Sequence, residues 1–149
     1  MKEKIGNDGD TVKLLRECDA GIKMGISSIN DVVDSTEDKR LRDMLDECKR
    51  RHEVLEIEVG ALLDEHYESG KNPSIMALGM SKLKTSAKMM MKPRDETVAD
   101  LMTDGCNMGV KSLSKYLNEY AAADEWSKDV AKKLIALEAK LSEDMRDYL

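Results

Sequence analysis

The chain has 149 residues, 41% hydrophobic and 36% charged, with no Phe, two Pro and a formal charge of −6. That length suits one domain with one core. The acidic balance argues against the basic surface that nonspecific nucleic-acid binding needs, and no apolar run of about eighteen residues exists to cross a membrane. Scarce aromatics and abundant Leu, Met, Ala, Lys and Glu describe helices rather than sheets. The three cysteines, Cys18, Cys48 and Cys106, are an odd number and widely spaced. They form no disulfide framework and suit a reducing compartment. Met1 to Asp10 is polar, without an apolar signal core, so a cytoplasmic location is expected.

In chain order, Asp10-Thr11 is positioned to cap a first helix. Its apolar line runs Leu15, Cys18, Ile22, Gly25, Ile29 and Val32 or Val33, in the steps of three and four that share one helix face. Ser35-Thr36-Glu37-Asp38 reads as a turn and a new helix start, because hydroxyl caps and early acids suit a helix amino end. The second helix carries Leu41, Leu45, Cys48, His52, Leu55, Val59, Leu62 and His66 on its inner line. Gly70 stops it, and Asn72-Pro73 opens a segment from Ser74 to Met91 or Lys92. After Pro93 a long helix is expected through Ala99, Met102, Cys106, Val110, Leu113, Leu117 and Tyr120. Ala121 to Asp124 turn the chain, and Asp124 caps a last helix with the inner line Val130, Leu134, Leu137, Leu141, Met145 and Tyr148.

The short turns force antiparallel neighbours within each hairpin. One all-α domain over 1–149 follows: a polar tail (1–10), a first hairpin (about 11–69), a crossover with its own short helix (about 70–93) and a second hairpin (about 94–149). An internal repeat supports that layout. Cys18-Asp19-Ala20-Gly21-Ile22-Lys23 matches Cys106-Asn107-Met108-Gly109-Val110-Lys111, and Ile29-Asn30-Asp31 and Leu117-Asn118-Glu119 follow at the same interval. The halves are therefore expected to pack about a pseudo-twofold axis.

On Gly21 and Gly109 within paired hairpins, the Leu-rich lines and the crossover Ala77-Leu78-Gly79-Met80-Ser81-Lys82-Leu83-Lys84, the chain resembles a bacterial ferritin-like family of unknown function. The likeness covers about Val12 to the carboxyl end and implies an antiparallel four-helix bundle of ferritin-like topology. Such proteins gather carboxylates and histidines in the bundle centre to hold two metals. This sequence departs from that pattern. Gly21 and Gly109 are followed by Ile22 and Val110 where the family pattern would place Glu, no Glu-x-x-His occurs, and the last helix has no His. Glu138 and Glu143 are the carboxylates there, and the reading puts both off the inner line. An apolar layer is expected in place of a di-metal site, with no cofactor.

Two constellations remain. Cys48 and His52 are four residues apart on a core line, and the turn sets Cys18 level with His52, so a zinc-type or redox site from Cys18, Cys48 and His52 is geometrically conceivable. Against it stands the reading in which the thiols fill core space and His52 bonds a polar neighbour. Cys106 is a poor fourth ligand under the pseudo-twofold, and His66 beside Glu65 is a surface or interfacial residue. The second constellation is the crossover, where Met76, Met80, Leu83, Met90 and Met91 form an apolar stripe beside Lys84 and Lys88. With −6 overall and +5 between Ser74 and Arg94, the remainder carries −11. Such a helix can pack on the acidic body, bind a partner or meet a membrane surface. Gly21 with Gly25, and Gly105 with Gly109, cost about 1 kcal/mol each inside helices, which points to close backbone approach of the first and third helices. The function expected is a non-enzymatic module that forms a dimer or binds a protein partner. The alternative is a metal or redox binder.

Overall fold

The computed structural model describes residues 2–66 and 94–149, with backbone alone for 2–8. Four helices account for nearly all of it: α1 (Lys2–Val33), α2 (Lys39–Glu65), α3 (Asp95–Glu119) and α4 (Glu125–Met145), followed by a 3₁₀ turn at Arg146–Tyr148. The described residues contain no strand. None of their helices is long and apolar enough to cross a membrane. The crossover from Gly70 to Pro93, with Met76, Met80, Leu83, Lys84, Lys88, Met90 and Met91, lies outside the described residues.

Capping explains where the helices start. Asp38 accepts from the Leu41 amide and Asp124 from the Ser127 amide, each at 2.8 Å, satisfying donors that a helix start leaves free. The α2 cap is thus Asp38, not the hydroxyls before it: Thr36 Oγ1 donates back to the Val32 carbonyl instead. Asp10 and Thr11 do not begin α1, which already runs from Lys2. They serve the opposite turn, where Asp10 accepts from the Ala122 amide and Thr11 Oγ1 from the Asp124 amide. Asp95 at the head of α3 accepts from the amides of Glu37 and Asp38, and Tyr148 Oη donates to Asp38. These bonds place the α1–α2 turn beside the start of α3 and the end of α4. They also place the early part of α1 beside the α3–α4 turn.

The inner lines pack as periodicity dictates. On α2 the buried residues are Leu41, Leu45, Cys48, His52, Leu55, Val59 and Leu63, with Leu62 and His66 only half-buried. The core divides into two apolar halves. One gathers around Leu15, Ile22, Leu55, Leu113 and Leu134. The other gathers around Ile29, Leu45, Cys106, Leu141 and Met145. On every helix one residue sits between them: Gly25 on α1, His52 on α2, Gly109 on α3 and Glu138 on α4. The expected apolar layer at the midplane is therefore polar. Glu138 is buried at 8% exposure, not off the inner line, because the steps Leu134, Glu138, Leu141 and Met145 follow the core face as closely as Leu137 does.

Candidate functional site

This midplane layer holds a directly bonded ionisable pair with both partners buried. His52 arrives from α2 at 1% exposure, and its Nε2 lies 2.9 Å from Glu138 Oε1 on α4. The two residues hold equivalent places: each is fourteen residues past the aspartate that caps its helix. His52 Nδ1 lies 2.8 Å from the Cys48 carbonyl oxygen, which can only accept, so Nδ1 carries a proton. The Cys48 sulfur is 3.5 Å from the same nitrogen.

The charge state follows from what surrounds the ring. Burial works against a charged imidazole, yet hydrogen bonds to Cys48 and Glu138 and the negative carboxylate outweigh it and push the His52 pKa up to about 10. At neutral pH the His52 ring is therefore an imidazolium that donates to Glu138. Cys106 on α3 completes the surroundings: burial first, then the neighbouring Glu138 and then Cys48 raise its pKa. It stays a thiol and thereby a weak donor, of low reactivity.

Glycines make the room. A Cβ at Gly25 would lie 2.7 Å from His52 Nε2 and 2.9 Å from its Cδ2, distances no side chain tolerates without movement. The imidazole edge therefore lies directly on the α1 backbone. At Gly109 a Cβ would meet the Glu138 carboxylate at 3.5 Å, ordinary contact, and at Gly105 it would meet nothing within 4 Å. The inner glycines thus admit side chains from α2 and α4, where the spacing had pointed to backbone approach between α1 and α3.

Of the residues expected to form a site, Cys48 and His52 are adjacent, whereas Cys18 belongs to the other apolar half. Burial, with the charges of Glu17 and Asp19 adding to it, pushes the Cys18 thiol up to about 12. Among the described residues no group of three or more His, Cys, Asp or Glu side chains is arranged to hold a metal ion. His52 Nδ1 is committed to a carbonyl and Nε2 to a carboxylate, which leaves the ring no lone pair for a metal in this state. Glu138 is the partner the sequence reading missed, and the signal for it was its spacing from Asp124, equal to that of His52 from Asp38.

Outside the core, an open trough of about 1250 Å³ runs between α2 and α4. Met44, Leu55, Leu137 and Leu141 give it apolar walls, and Lys39, Arg50, Lys133 and Lys140 stand on its rim. Each of these four cations pairs with a neighbouring acid. Such exposed pairs contribute little to stability.

Compared with protein-family models, curated proteins and solved structures, the chain matches none.

Proposed function

We propose that this chain is a cytoplasmic bundle of ferritin-like topology that works by self-association or by binding a protein partner, and that it has no di-iron centre. The observation that carries the reading is the closed His52–Glu138 pair. It occupies the midplane, the place where ferritin-like proteins assemble metal ligands from facing helices, and both ring nitrogens of His52 are spent, one on Glu138 and one on the Cys48 carbonyl. The helix directions are supported by the bonds between ends: Thr11 to Asp124, Asp95 to the α1–α2 turn, and Tyr148 to Asp38. With them α1 and α4 run one way and α2 and α3 the other, and residues 67–93 supply the long connection such an order requires.

Elemental analysis of reduced, tag-free protein purified without chelator tests the reading. No stoichiometric metal is expected, and chelator should leave the unfolding midpoint unchanged. Iron or manganese at one or two per chain would overturn it. So would zinc that disappears in Cys48→Ala, which would restore the Cys18, Cys48 and His52 alternative.

A further inference from the structure

The face of α2 turned away from the core carries a second regular pattern. Arg50, Val54, Ile57, Ala61 and Asp64 recur in steps of four and three, and all five are exposed. This is the spacing of a coiled-coil seam. Val54 and Ile57 are 64% and 75% exposed and are two of the five large hydrophobic residues exposed among the described residues. At the two ends of this stretch the charges are divided by position: Arg50 and Arg51, both bonded to Glu47 on their own helix, lie before the apolar centre, and Asp64 and Glu65 after it, while Glu53 and Glu58 flank the centre itself. Ile57 stands midway, seven residues from Arg50 and seven from Asp64.

We propose that this face of α2 is a homodimer interface in which the α2 helices of two copies pack antiparallel about a twofold axis at Ile57. The inference rests on the self-association half of the reading above. A sequence with this division is complementary to itself only when reversed. Turned end for end, a second copy sets Arg50 and Arg51 against the partner copy's acids at both ends and brings the two apolar centres together. A parallel pairing would set like charges side by side. That symmetry is what a twofold interface demands, since the same patch must serve both subunits. The apolar centre supplies the attraction, and the exposed charges fix orientation. A seam from residue 50 to residue 64 is only about 21 Å long. The dimer therefore dissociates on dilution and loosens in salt.

Sedimentation equilibrium of the full chain tests this across concentration, with circular dichroism confirming that each variant keeps its helices. Wild type is expected to pass from the mass of one chain to that of two. Ile57→Asp should remain a single chain. Arg50→Glu with Arg51→Glu should weaken association about tenfold by replacing attraction with repulsion at both ends. Adding Asp64→Lys and Glu65→Lys to that variant should restore it, because an antiparallel seam with both ends reversed is complementary again. A wild-type dimer indifferent to these changes overturns the α2 interface and leaves self-association standing. A wild type that is one chain at every concentration overturns both.

Discussion

On either side of the midplane the bundle is filled mainly by Leu, Ile and Val, with Ala, Met and Cys among them, whereas the layer between holds a histidine, a glutamate and two glycines. The apolar halves tolerate volume-conserving exchange, because any side chain of similar volume removes the same surface from water. The middle layer has no such latitude. A buried imidazolium without its carboxylate is an unpaired charge in the core, and a carboxylate without its imidazolium is the same. The halves supply the bulk of the stability, and the layer ties α2 to α4 in one register.

Breaking the pair has the largest expected effect. Glu138→Leu should lower unfolding free energy by about 3–5 kcal/mol, as removal of one partner of a buried pair does, while His52→Leu with Glu138→Leu should lose much less. Urea unfolding of the singles and the double measures the coupling. Additive losses would mean that the two residues act independently.

Alkali should weaken the same bond without mutation. The His52 pKa is raised from 6.5 when unfolded to about 10 when folded. Its stabilising contribution is therefore complete below pH 6.5 and is lost as pH rises through 10, since the folded chain binds the extra proton. Wild type should lose more stability than His52→Gln between pH 7 and pH 10. Comparing the two removes the shared titration of lysines and tyrosines. An apolar-half variant such as Leu45→Ala should lose about 2–5 kcal/mol and keep the wild-type pH dependence.

The glycines sharpen the contrast further. Gly25→Ala should cost about 1–3 kcal/mol, the usual penalty of overpacking, because its Cβ would lie 2.7 Å from the His52 ring. The same change in a His52→Ala background should be much milder. Gly105→Ala meets open space and should stabilise by up to about 1 kcal/mol through helix propensity. Thermal melts of the three variants report both signs. The smallest expected change is at the caps, where Asp124→Ala should cost about 1 kcal/mol.

Most of the helical frame was legible in the sequence because core-facing residues recur at helical spacing and aspartates stand at the turns. Leu41, Leu45, Cys48, His52, Leu55 and Val59 lie where spacing put them. The start of α1 was not legible, since Asp10 and Thr11 look like a cap and instead bond the turn of the other hairpin. Glu138 was missed because a charged residue beside Leu137 reads as outward. Only the need of a buried histidine for a partner, with the equal spacing from Asp38 and Asp124, points to it. The glycines were read as room for backbone, whereas the room at Gly25 is filled by an imidazole.

The most direct test is ¹⁵N NMR of the histidine rings at pH 8. His52 should carry protons on both Nδ1 and Nε2 there, well above the range in which a free histidine is charged. A neutral His52 ring at pH 8, with one bare nitrogen, would contradict the ion pair at the centre of the bundle.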